Sequence, residues 1–130
     1  MLIPAQEQPP PRYLARIEVH TIAELNKLLT RAEQLFNSGN FNPGIDTPVA
    51  FILHGSEARS LLTPHYLQNK ELVDLAARLS AFKVVEIKVC KTWMEGQSLD
   101  EELLPPFIAT VPFGPAEERR LMQKQHYVYF

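Results

Sequence analysis

The chain has 130 residues and a formal charge of -2, from 13 Lys and Arg against 15 Asp and Glu. That length fits one domain able to bury roughly two-thirds of its unfolded surface. With 45% hydrophobic and 22% charged residues, the composition is that of an ordinary globular protein. Basic residues are scattered rather than striped, which argues against a surface that tracks a phosphate backbone, so no nucleic-acid partner is expected. A single cysteine excludes an internal disulfide, and no apolar run approaches the roughly 20 residues of a membrane-spanning helix. With no secretory pattern at the amino end, the sequence predicts a cytoplasmic protein away from membranes.

In chain order, residues 1–12, "MLIPAQEQPPPR", hold four of the eleven prolines and no apolar periodicity. They predict a flexible Pro-rich arm, with the folded domain over 13–130. "YLARIEVH" alternates from Tyr13 and reads as a first strand ending at His20. Thr21-Ile22-Ala23-Glu24 matches a capping box and starts a helix with apolar positions at Leu25, Leu28, Leu29, Ala32, Leu35 and Phe36. "PVAFILH" is almost wholly apolar, as a strand covered on both faces should be. A short helical stretch, "SEARSLL", follows Gly55, and Asn69 is placed to cap "KELVDLAARLSAF". "VVEIKVC" is the third strand, followed by helical turns around "TWMEG" and "SLDEELLPP". The fourth strand is "FIATVPF", then a helix opens at Gly114-Pro115, and "YVYF" closes the chain as a fifth strand.

This alternation predicts a three-layer α/β sandwich with a mainly parallel five-stranded sheet joined by right-handed crossovers. The flavodoxin-like order 2-1-3-4-5 is the expected one. It makes the first and third strands neighbours, with Arg16 beside Glu86, Glu18 beside Lys88 and His20 beside Cys90. Because each of these strands has a charged face, the pattern also predicts contact with another subunit.

Ligands of open parallel sheets bind outside the carboxyl ends of the strands, so the exits carry the candidate site. These exits are His20, His54-Gly55 and Cys90-Lys91. A thiol becomes nucleophilic as thiolate, favoured by a helix start or a cation, and Cys90 precedes both Lys91 and the N-H groups of Thr92, Trp93 and Met94. Beside that reading stands the plainer one, that a free cysteine is packing, His20 precedes a helix cap and His54 is a hydrogen-bonded core residue. Candidate catalytic residues are therefore Cys90 and His20, and candidate ligand contacts are His54, Gly55, Lys91, Thr92 and Trp93. Two histidines and a thiol from three distant strands have no metal-binding spacing, so no metal and no cofactor are expected. His65 and His126 are expected to face solvent. Phosphate-binding loops, hydrolase elbows and dithiol motifs do not occur in the sequence.

"VVEIKVCKTWMEG…LLPPFIATVPFGPAEERRLMQKQHYVYF", with "FILHG" and "LQNKELVDLAARL" upstream, resembles the DsrE/DsrF-like proteins, particularly their single-cysteine branch. The resemblance spans about residues 13–130. It implies a DsrE-like α/β fold, a trimer or hexamer, and a sulfur-relay role in which Cys90 carries sulfane sulfur as a persulfide between donor and acceptor proteins. Trp93 would either shield such a persulfide or bury the sulfur. The alternative is a non-catalytic oligomeric binding or scaffold module that uses the same edge for a small ligand or a protein partner. Solvent access to Cys90 separates the two.

Overall fold

Five runs of β-forming residues become five parallel strands in the computed structural model, which describes residues 10–130. They are β1 (Tyr13–Leu14), β2 (Val49–Leu53), β3 (Val85–Cys90), β4 (Ile108–Val111) and β5 (Val128–Tyr129), in the spatial order β4-β3-β2-β1-β5. The helices are α1 (Ile22–Asn37), α2 (Ser56–Arg59), α3 (Lys70–Ala81), α4 (Lys91–Gly96) and α5 (Gly114–Lys124), with short 3-10 turns between them. The expected three-layer α/β architecture is therefore present. Most of the predicted arm, residues 1–9, lies outside the described residues; Arg12 is already tied down, since its carbonyl accepts the Val128 N-H at 2.8 Å.

The strand order differs from the expected 2-1-3-4-5. All five residues of β2 are buried, and a strand covered on both faces is most stable at the centre, between β1 and β3. β1 and β3 each pair with β2 and not with one another. Two strand spacings, about 10 Å, separate them. The pairings of Arg16 with Glu86, Glu18 with Lys88 and His20 with Cys90 therefore do not form.

Successive crossovers from β1 to β4 all step in one direction, so right-handedness places their helices on one face. That face holds the larger core, in which Val49, Phe51, Leu53, Val85, Ile87 and Val89 meet Leu25, Leu29, Ala76 and Leu79. The last crossover runs back from β4 to β5, across the whole sheet. The same handedness puts α5 on the opposite face, over Leu14, Ala50, Ile52 and Val111, with Leu121 as its anchor.

The charged face of β3 lies on the α5 side. Lys88 Nζ is 3.1 Å from Glu86 and 3.6 Å from Glu117 of α5. A helix of the same chain thus covers part of this face by supplying the opposite charge, a solution that the subunit-contact argument left out. Arg120 and Lys88 together hold the Glu117 carboxyl below the usual carboxylate range, with the Arg120 hydrogen bonds the larger cause.

Candidate functional site

The β1–α1 connection is where local sequence and expectation part most. The strand stops at Leu14, and after the Ala15 N-H bonds the Ala50 carbonyl the chain leaves the sheet. Thr21 caps α1 as predicted, its Oγ1 accepting the Glu24 N-H at 3.1 Å. The Glu24 carboxylate does not return to the Thr21 N-H, as a capping box requires. It collects the backbone N-H groups of Glu18, Val19 and His20 at 2.8 to 3.3 Å. One charged acceptor serving three backbone donors replaces the strand ladder and folds residues 18–20 into a loop. His20 ends that loop with φ of 55°, a left-handed conformation that costs a non-glycine residue roughly 1 kcal/mol.

This conformation turns the His20 ring onto the β2–α2 turn. Its Nδ1 lies 2.8 Å from Oε1 of Glu57. Glu57 has no exposed surface. The same Oε1 accepts the His54 backbone N-H at 2.9 Å, while Oε2 has no partner among the described residues. The His20 and His54 rings lie with centroids 3.9 Å apart and planes inclined by 37°. Gly55 makes the approach possible: a Cβ there would stand 2.7 Å from the His20 Cβ and 3.0 Å from Glu57 Oε2. Glu118 lies one helical turn into α5 and is half-buried. Burial pushes its carboxyl above the ordinary range, and the nearby His54 and His20 pull it partly back.

Cys90 sits elsewhere. It is 3% exposed, beneath the start of α5, where the Gly114 N-H reaches its sulfur at 3.3 Å. A Cβ on Gly114 would lie 3.3 Å from the Cys90 Cβ and 3.2 Å from Ile52 Cγ2, so this glycine permits the helix to settle on the thiol. Continuing the β2–β3 register by one residue sets His54, not His20, level with Cys90. The exits of β3 and β4 lead to opposite faces, which makes the crevice between them the expected ligand position. Thr92 closes it, since its N-H and hydroxyl both bond the Pro112 carbonyl, at 3.2 and 2.7 Å.

The structure thus brings His20, His54 and Gly55 together, and leaves Lys91, Thr92 and Trp93 apart from them on α4. Lys91 is exposed, 3.9 Å from Glu101, and the half-buried Trp93 lies under the Arg59 guanidinium at 5.8 Å. His126 is exposed as expected, whereas His65 is half-buried. Sequence reasoning gave Glu24 the wrong backbone partner and missed Glu57 and Glu118. Both of the missed residues had a signal: Glu57 lies in the helical stripe of Ala58, Leu61 and Leu62, and Glu118 in that of Gly114 and Leu121. A carboxylate on an apolar stripe must find a partner or stay neutral. Among the described residues, no group of three or more His, Cys, Asp or Glu is placed to hold a metal ion, and no helix is long and apolar enough to cross a membrane.

Fold and site together define a parallel α/β sandwich with a carboxylate-bound imidazole at the carboxyl edge of its central strands. No protein-family model matches the chain, and no curated protein matches it. Among solved structures it is similar to the protein of unknown function MTH1491 from Methanobacterium thermoautotrophicum, with a TM-score of 0.72 and 13% sequence identity over 93% of this chain and 98% of that one. At that identity the likeness shows the fold alone.

Proposed function

We propose that the protein is a small-molecule binding module whose ligand sits at the strand-exit edge against His20, His54 and Gly55. One observation carries this reading: a fully buried carboxylate, Glu57, is spent on holding the Nδ1 side of one imidazole. Burying a charge costs several kcal/mol, and an apolar residue at position 57 would serve packing alone at lower cost. With Nδ1 engaged by Glu57, Nε2 is the ring atom left to meet a ligand. Ligand-observed NMR with a library of small uncharged polar compounds tests the reading. Ligands that shift the ring signals of His20 and His54, and lose affinity for a His20→Gln variant, support it. Ligands that bind only in the apolar cleft of Tyr66, Val73, Pro105 and Phe107 would refute it.

A persulfide carrier at Cys90 is the second reading, favoured by the Gly114 N-H on its sulfur, which stabilises a thiolate. In that reading the Cys90 thiolate attacks the outer sulfur of a donor persulfide, the S-S bond breaks and the donor leaves as thiolate. The first turn of α5 has to lift for this to occur. Intact mass after incubation with a sulfane-sulfur donor checks it, with Cys90→Ser as control. For either reading we propose a homo-oligomer, trimer or hexamer, supported by the half-exposed Val128 and Tyr129 on edge strand β5. Light scattering at micromolar concentration tests that, and a monomer refutes it.

A further inference from the structure

We propose that a cleft on the same edge, between α2 and the two 3-10 turns that follow it, binds the phosphate monoester of a small polyhydroxy compound. This site is separate from the one against His20, His54 and Gly55, and neither reading depends on the other.

The cleft has two connected ends. The smaller, of about 240 Å³, lies between Ser56, Arg59 and Ser60 on one side and His65, Gln68 and Asn69 on the other. The larger, of about 730 Å³, opens between the starts of α1 and α3, beside Asn26, Glu71 and Leu72. Ile22, Gln68 and Asn69 line both ends, so the space is continuous. Local sequence explains the hollow. Pro64 withholds a backbone donor, and the chain crosses from α2 to α3 as two short turns, Thr63–His65 and Leu67–Asn69, instead of one helix. The Asn69 amide ties these turns together by donating to the His65 carbonyl at 3.1 Å.

Charge makes the smaller end an anion site. Arg59 lines it, and no carboxylate does so among the described residues. The Arg59 Nη2 donates to the neutral Gln97 Oε1 at 2.7 Å, and the guanidinium carbon lies 5.8 Å from the centre of the Trp93 ring. These contacts orient the guanidinium without neutralising it, and leave Nη1 and Nε to donate to an oxyanion. Glu57, two residues before Arg59, has no exposed surface and is turned to His20, so it does not compete. Across the cleft stands the half-buried His65, whose ring offers one N-H in either tautomer. Ser56 adds a hydroxyl. Donors from three walls suit the three free oxygens of a phosphate ester better than the two of a flat carboxylate.

The larger end selects the body of the ligand. Its lysine, Lys70, is bonded to Asp74 at 2.9 Å, so no second anion is matched there. Asn26, Gln68, Asn69 and Glu71 present amide and carboxylate groups to hydroxyls, beside the apolar surface of Ile22 and Leu72. An uncharged polyol body has partners for each of these.

Glucose 6-phosphate, inorganic phosphate and glucose are the probes, each titrated into the full chain by calorimetry while NMR follows the histidine ring signals. The ester should bind more tightly than phosphate and shift the His65 ring, and glucose should not bind measurably. Arg59→Gln should weaken the ester on the order of tenfold or more, through loss of hydrogen bonds to a charged group. A melting curve checks its fold; His65→Asn, in a turn, is the second variant and should weaken the ester about threefold or more. Lys27→Gln removes the same charge outside the cleft and should leave affinity unchanged. No binding of the ester, glucose bound as tightly as the ester, or no loss in either folded variant overturns the proposal. Phosphate bound as tightly as the ester would make this a free-anion site and overturn the ester. Shifts at His20 and His54 with His65 unmoved would also overturn it, while supporting the other site.

Discussion

Replacing Gly55 by alanine tests whether the site is as closely fitted as its distances imply. The added Cβ would stand 2.7 Å from the His20 Cβ where ordinary contact begins at 3.4 Å, so about 0.7 Å must open. His20 cannot yield by a rotamer change, because its Cβ is fixed by a backbone at φ of 55° whose N-H is held by Glu24. Glu57 Oε2, at 3.0 Å from the same Cβ, is enclosed and cannot swing into solvent. Overpacking of this kind costs about 1–3 kcal/mol. If the loop moves far enough to break the His20–Glu57 bond, a hydrogen bond to a charged group, worth about 1.5–3 kcal/mol, is lost as well. We expect about 3 kcal/mol in total, which for a domain of this size is a fall of roughly 10 °C in Tm. Urea unfolding monitored by circular dichroism gives the free energy directly. Gly96→Ala is the control, since a Cβ there meets nothing within 4 Å, and it should leave stability within about 1 kcal/mol of the parent or raise it. A Gly55→Ala protein within about 0.5 kcal/mol of the parent would refute the close fit and the site geometry built on it.

Glu24→Gln should destabilise by about 1–2 kcal/mol and loosen residues 18–20 first, visible as faster amide exchange at Val19 and His20; unchanged exchange would mean that the loop is held by something else. Folding raises the Glu118 carboxyl above its ordinary value, so the folded state binds that proton more tightly than the unfolded one. Its stabilisation is therefore complete below the ordinary carboxyl range and is lost as pH rises through the folded value. Glu118→Gln should flatten that part of the stability profile, and an unaltered slope would place the effect on another group. Cys90 should resist alkylation in the folded protein and react in urea, because the thiol lies beneath α5; rapid labelling under native conditions would show that the helix start opens readily.

The elements were legible where one rule decided them. "PVAFILH" could only be a strand covered on both faces, and the apolar spacing of Leu25, Leu28, Leu29 and Ala32 fixed the inward face of α1. Strand order was not read from the chain, although part of it was available: the order 2-1-3-4-5 would put that fully apolar strand at an edge, where one side of its ladder meets water. Alternation in "YLARIEVH" predicted a longer first strand, because periodicity carries no information about a carboxylate six residues on that bonds the backbone instead. Asn69 shows the same limit at a cap: it precedes α3 as expected, yet its amide donates to the His65 carbonyl and makes no capping bond. His20 and His54 were found as strand exits. That His20 meets His54, and not the thiol, followed from the left-handed turn at His20 and from the central place of β2.

The return of the last crossover has a consequence for the order in which the chain can be completed. β1 is an interior strand in the finished sheet, but its outer neighbour is β5, more than a hundred residues later in sequence. During synthesis β1 through β4 can pair as soon as each emerges, while the free edge of β1 stays open until Val128 and Tyr129 have left the ribosome. The apolar face over Leu14, Ala50 and Ile52 is uncovered for the same period, since α5 is made just before. A nascent chain arrested before residue 114 would therefore be a four-stranded sheet with one bare face and, besides the β4 edge that stays open in the finished sheet, a bare β1 edge, the form most prone to pair with a second copy.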